Sequence, residues 1–224
     1  MKNVIAYSLW GDAPMYWIGA LKNIELAKKY FPDWICRFYI DKECSKDLIE
    51  TIKGDNVETV LIDSKDSFHG MFWRFYAASD KDVNIMLSRD CDSRFSDREV
   101  AAINEWLNSN KNFHIMRDHP YHTVPILGGM WGCRNGILHN IVDDIKNWTF
   151  FSQKGCDQDF LGQVIYPKVK NDALEHVGFN INFGGYMKPF PTKRENYEYV
   201  GDIFDEFDNR HPEYWKIIEN VNVN

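Results

Sequence analysis

Along the first hundred residues, short apolar runs alternate with segments whose apolar positions recur at helical spacing. Residues 4–9 (VIAYSL) form an apolar run that stops at Gly11-Asp12, which predicts a strand followed by a loop. Pro14 can open a helix, and Trp17, Leu21, Ile24 and Phe31 then recur on one face, with Lys22, Lys28 and Lys29 on the wet side. Residues 35–40 read as a second strand, a charged helix follows over about 45–53, and residues 57–62 read as a third strand. Residues 72–78 read as a helix before a fourth strand over 83–87.

Such alternation predicts a largely parallel sheet covered on both faces, a nucleotide-binding α/β half over about residues 1–110. The second half, about 111–224, is less regular. Ser96-Asp97-Arg98-Glu99 is a capping box that opens a helix through Ala101, Ile103 and Trp106. Residues 113–116 and 125–131 read as strands. Residues 158–164 read as a helix capped by Asp157, and a loop-rich tail follows. No repeat, low-complexity tract or linker interrupts the chain, so one domain over 1–224 is expected.

Composition narrows the function classes. Of the 224 residues, 44% are hydrophobic and 15% aromatic, enough for a core with aromatics left over for a cleft. The net charge of −7, with no basic stripe, argues against a nucleic-acid groove. A phosphate-bearing ligand would then need a local counter-charge, and a divalent cation is the obvious one. The five cysteines are widely spaced without a C-x-x-C pair, which reads as free thiols in a reducing compartment. The opening residues read as a strand rather than a signal peptide, and no stretch approaches the ~18 apolar residues of a membrane span. A soluble cytoplasmic protein (host cytoplasm if viral) is the expectation.

The most informative stretch is residues 84–94, NIMLSRDCDSR, an apolar strand running into two acids one residue apart. In extended backbone, residues two apart face the same way, so Asp90 and Asp92 can converge while Cys91 faces away. Two hard oxygen donors at a strand's carboxyl end suit Mg²⁺ or Mn²⁺, which complete their shells with waters and phosphate oxygens.

Arg89-Asp90-Cys91-Asp92 after a strand has Trp73-Arg74 upstream, Gly128-Gly129-Met130-Trp131 downstream and Asp157-Gln158-Asp159 beyond. Together these segments resemble GT-A-fold glycosyltransferases, in particular a group of small bacterial and large-DNA-virus enzymes. The resemblance implies a GT-A (Rossmann-like) α/β fold with a mixed, mostly parallel sheet flanked by helices. It implies transfer of a sugar from a UDP- or GDP-linked donor to a glycan or other acceptor hydroxyl, with Mn²⁺ or Mg²⁺ as cofactor. Asp90 and Asp92 would hold the metal and, with Arg89, the donor diphosphate. Residues 182–190 (NFGGYMKPF) resemble the H-F-x-G-x-x-K-P-W segment of glycogenin-like enzymes. There the His is a third metal ligand and the Lys meets phosphate. Lys188 inherits the phosphate role, Asn182 replaces the His, and nearby His176 is the substitute ligand.

The resemblance also implies the roles of the other candidates. Tyr7, Ser8 and Trp10, at the end of the first strand, are nucleoside contacts, and Arg74 suits a diphosphate or an ion pair that orients Asp90. Gly128 and Gly129 allow close backbone approach, with Trp131 beside the sugar. Asp159, ahead of Asp157, is the candidate carboxylate at the reacting centre, a base if the reaction inverts and a stabiliser if it retains. His119 and His122 form an H-x-x-H pair in a loop, too few donors for zinc, which reads as acceptor binding or as a loop conformation held by Pro120 and Pro125. Two other functions compete with this reading. A D-x-D phosphohydrolase would use Asp90 as nucleophile, although Arg94 stands where that motif wants Thr or Val. A non-catalytic sugar-binding module would not need the acids at all.

Overall fold

The computed structural model describes residues 1–63, 69–150 and 154–221. One sheet of eight strands crosses both halves of the chain, in the order β3-β2-β1-β4-β6-β5-β7-β8. The strands are β1 (Lys2–Leu9), β2 (Ile35–Asp41), β3 (Val57–Ile62), β4 (Val83–Ser88), β5 (Phe113–Arg117), β6 (Trp131–Arg134), β7 (Ala173–Val177) and β8 (Met187–Lys188). Every neighbouring pair is parallel except β4/β6 and β5/β6, so β6 alone runs against the rest. The expected mixed, mostly parallel α/β sheet is therefore the one the chain forms.

Burial explains why the central strands read as unbroken apolar runs. In β1 the residues from Val4 to Leu9 are all buried, since helices cover both faces. Alternation then splits the core: Val4 and Ala6 join Phe72, Phe75 and Trp131 on one face, while Ile5, Tyr7 and Leu9 join Trp17, Phe38 and Trp106 on the other. The second face is closed by α1 (Pro14–Tyr30) and α4 (Asp97–Leu107). Helix α1 buries Trp17, Ala20, Ile24 and Ala27, spaced by three and four, and carries Lys28 and Lys29 in its last turn against the carbonyl end of its dipole. Leu21, expected on that face, is 39% exposed because the buried stripe passes through Ala20 instead.

Other expectations change in detail. The helix expected over 45–53 shrinks to α2 (Lys46–Ile49), with Ile52 buried in the turn beyond it. The helix expected over 72–78 begins as α3 (Gly70–Trp73) and tightens to three residues per turn over Arg74–Ser79. Ser96 caps α4 by accepting the Glu99 N–H, but the Glu99 carboxylate pairs with Arg89 rather than returning to the cap. The strand expected over 125–131 starts only at Trp131, because Pro125 and the Gly128-Gly129 step shape a loop whose Met130 N–H closes on Leu127 O. After α5 (Ile141–Lys146), α6 (Cys156–Phe160) follows Gly155, whose φ of +88° suits glycine alone, so Asp157 lies inside the first turn rather than capping it. A π turn over Leu161–Ile165 joins α6 to α7 (Tyr166–Val169), and α8 (Pro212–Asn220) closes the tail. No helix among the described residues is long and apolar enough to cross a membrane.

Candidate active site

In the strand order the direction of winding reverses between β1 and β4, and crevices form at the carboxyl ends of strands flanking such a switch. A cleft of about 490 Å³ opens there. The end of β1 contributes Ser8, Leu9 and Trp10, and the turn after β4 contributes Asp90, Cys91 and Asp92. These acids do not sit in extended strand. Their turn is closed by the Ser93 N–H and hydroxyl on Asp90 O. Helix α1 holds it from behind, where buried Asn23 donates to Cys91 O at 3.2 Å and Ser93 O at 2.9 Å. Gly19 permits this approach, since a Cβ there would stand 2.0 Å from Cys91 O. Phe204 N–H donates to Asp92 O at 2.8 Å, so the tail braces the turn from the other side.

The electrostatic centre is Arg74, only 6% exposed. Its Nη1 lies 2.5 Å from Asp90 Oδ1 and its Nη2 lies 3.2 Å from Asp157 Oδ2, so one guanidinium spans two acids from distant parts of the chain. Its backbone N–H donates to Ser8 Oγ at 2.9 Å, fixing where that fork starts. Burial pushes the Asp157 carboxyl upward and Arg74 opposes the shift. Asp92 makes no ion pair among the described residues, and burial followed by the Asp90 charge pushes its carboxyl up to about 6. The phenol of Tyr16 is pushed upward by burial, then by Asp92 and Asp90.

A half-buried carboxylate held beside another without its own cation is a donor set short of positive charge. That chemistry fits a divalent ion of the Mg²⁺ or Mn²⁺ kind, which needs few protein oxygens and fills its shell with water and phosphate. Among the described residues no cluster of three or more His, Cys, Asp or Glu is placed to hold a metal, so Asp90 and Asp92 would act as a pair.

The glycines work differently from the expectation. A Cβ on Gly128 would lie 2.3 Å from Arg74 Nη2 and 2.4 Å from Asp157 Oδ2, and one on Gly129 would lie 1.9 Å from Asp90 Oδ2. They make room for the protein's own charge network, and Ser88 Oγ locks the loop by donating to Gly128 O at 2.6 Å.

Seven expected residues meet in the cleft: Ser8, Trp10, Arg74, Asp90, Asp92, Gly128 and Asp157. Apart from Gly129, which abuts Asp90, the others lie elsewhere. Tyr7 faces the α1 side of the sheet, stacked on Phe38 with centroids 4.8 Å apart, because strand alternation turns it away from Ser8. Arg89 is buried against Glu99 and the carbonyl of Trp131 rather than facing a ligand. Trp131 is core, stacked on Phe113. Asp159 is not among the cleft residues, whereas Asp157 is. His176 bonds buried His114 and Glu105, and Lys188 pairs with the same Glu105, all at the β7/β8 edge of the sheet. That edge is separated from the acid turn by β6 and β5, so neither residue reaches the acids.

Sequence reasoning missed Tyr16, Met71, Lys154, Gln158 and the tail residues Gly201 and Ile203, and it left His122 between acceptor binding and a structural loop. Only Gln158 had a signal, its place between Asp157 and Asp159.

No protein-family model matches the chain, and no curated protein matches it. Solved structures do. A glycosyltransferase involved in the glycosylation of the major capsid of PBCV-1 shares the fold with TM-score 0.53 at 15% identity, over 79% of this chain and 82% of that one. The 4-diphosphocytidyl-2C-methyl-D-erythritol synthase of Anaerococcus prevotii shares it with TM-score 0.51 at 13% identity, over 80% and 90%. The galactosyltransferase LgtC in complex with donor and acceptor sugar analogues gives 0.49 at 12% identity, over 77% and 73%. At identities this low, the first two likenesses establish the fold alone.

Proposed function

We propose that this chain is a divalent-metal-dependent glycosyltransferase that moves a sugar from a UDP- or GDP-linked donor to a hydroxyl of a glycan. The observation that carries the reading is the Asp90–Asp92 pair at the β1/β4 switch point, tied through Arg74 to Asp157 across one cleft. Trp10 and Tyr16 flank the nucleoside end. Asp90 and Asp92 would hold Mn²⁺ or Mg²⁺, which would supply positive charge beside a departing diphosphate. Lys154, a cleft-lining cation with no ion pair among the described residues, faces the same phosphates in place of Lys188. Gly128 floors the sugar site, and Asp157 serves the reacting centre. Its buried carboxylate either takes the acceptor proton or stabilises developing positive charge on the sugar, according to stereochemistry.

A second reading, nucleotidyl transfer, draws support from the fold shared with the diphosphocytidyl synthase. It fits less well. The cleft offers three carboxylates against Arg74, already engaged twice, and Lys154, a poor counter-charge for a triphosphate. The products decide: sugar transfer releases a nucleoside diphosphate, and nucleotidyl transfer releases pyrophosphate.

Thermal unfolding tests the metal-dependent reading. UDP or GDP at ~100-fold above Kd adds ~2.7 kcal/mol, a rise of several degrees for a protein of this size. The rise is expected only with Mn²⁺ or Mg²⁺ and is lost in Asp92→Asn. A nucleotide response that ignores both the metal and that substitution refutes it.

A further inference from the structure

The tail carries a surface that transfer to a small hydroxyl compound does not require. Asn196 and Tyr197 are consecutive non-glycine residues with φ of 48° and 55°, a left-handed conformation that side chains disfavour. Arg210 stabilises both. Its Nη1 donates to Asn196 O at 2.9 Å and its Nη2 to Tyr197 O at 2.8 Å, while its Nε pairs with Asp202. The outcome is a presented ring: Tyr197, 43% exposed, lies within 13° of parallel to Trp215 of α8, centroids 6.3 Å apart. The same guanidinium stands 5.9 Å over the Trp215 ring, as the Lys216 ammonium does at 5.7 Å, so Arg210 meets the Tyr197 backbone and the Trp215 ring together.

This platform stands close to the cleft along the chain. Gly201, four residues after Tyr197, lines the cleft wall, and four residues of chain span at most ~14 Å. Between them, Tyr199 packs on His122, which also lines the cleft, with centroids 5.9 Å apart. The frame around the rings is polar: Glu195, Asn196, Glu213 and Lys216 are all exposed. A membrane or an obligate protein partner calls for a contiguous apolar patch. Rigid flat rings set among hydrogen-bonding groups instead match a pyranose, whose C–H face lies on an aromatic ring while its hydroxyls reach outward.

We propose that Tyr197 and Trp215 form a carbohydrate platform that receives the acceptor as an oligosaccharide of several units, its reacting end in the cleft. The assignment of acceptor rests on the glycosyl-transfer reading; the binding of sugar does not. The full chain, without nucleotide, is applied to an array of defined oligosaccharides and monosaccharides. Retention of oligosaccharides but not monosaccharides is expected, weakened at least tenfold in Tyr197→Ala and in Trp215→Ala and kept in Tyr197→Phe. The Mn²⁺-dependent response to UDP or GDP is expected to stay at the wild-type level in Tyr197→Ala, which also verifies folding. Binding to no oligosaccharide, or equal binding by Tyr197→Ala and wild type, overturns the platform. Ring-dependent oligosaccharide binding in a protein that ignores nucleotides upholds the platform and rejects transfer instead.

Discussion

Arg74→Met tests whether one guanidinium organises the cleft. At 3.2 Å, the Arg74–Asp157 attraction is ~5 kcal/mol gross at the effective dielectric that suits protein sites. Removing one partner of a buried pair strands the other, typically at ~3–5 kcal/mol. Asp157 is 3% exposed and takes that penalty in full, whereas the Asp90 side chain is 42% exposed and water screens its share. The expected loss in EDTA at pH 7 is therefore ~2–4 kcal/mol. Asp157→Asn, which keeps the shape and leaves Arg74 on Asp90, should lose ~1–2 kcal/mol. The double variant should lose less than the sum, by a coupling of ~1.5–3 kcal/mol, because the stranded charge has gone. Urea melts of the four proteins read this as displaced midpoints, with slopes unchanged. Mn²⁺ should restore more stability to Arg74→Met than to wild type, since the cation replaces the missing charge beside Asp90. Strict additivity of the two single losses would refute the shared-guanidinium account.

Other substitutions probe neighbouring parts. Gly129→Ala places a Cβ 1.9 Å from Asp90 Oδ2, so it should displace that carboxylate and cut Mn²⁺ affinity at least tenfold by calorimetry, with α1 and the sheet intact by circular dichroism. On the proposed reading, Lys154→Ala should weaken UDP or GDP about tenfold and leave the nucleoside alone unaffected, because only the diphosphate would meet that cation. Asp157→Asn should cost turnover a hundredfold or more while Asp159→Asn stays within a factor of three, since only the former lines the cleft. Burial pushes the His122 imidazole down to about 3, and its Nδ1 accepts the Asp118 N–H at 3.0 Å in the neutral form. A depressed folded value means the contribution is complete above the ordinary ~6.5 and is lost as pH falls from there towards 3. Between pH 7 and 5 the wild type should lose ~1–2 kcal/mol more than His122→Gln in urea melts, and parallel losses would reject this.

The fold was legible because central strands covered on both faces leave apolar runs, and four such runs separated by helical patterns allow few sheets. What stayed hidden has particular causes. Strands β7 and β8 lie beyond β5 in the sheet, and β8 is two residues long, too short to leave a period. The site was legible where chemistry and position coincide in sequence, as at Asp90–Asp92 and Arg74. It was illegible where a side chain acts from a distance: Asn23 sits inside a helical stripe, yet its amide shapes the acid turn 68 residues away. The short motif around Lys188 lies away from the acid turn for the opposite reason. A run of familiar residues fixes its own backbone but not the strand it joins, and pairing with β7 carries Lys188 to Glu105 instead of to the acid turn. Tyr7 and Ser8 make the same point in one dipeptide. A single residue step inverts the face, so the hydroxyl that receives the Arg74 amide and the phenol stacked in the core are neighbours that cannot exchange roles.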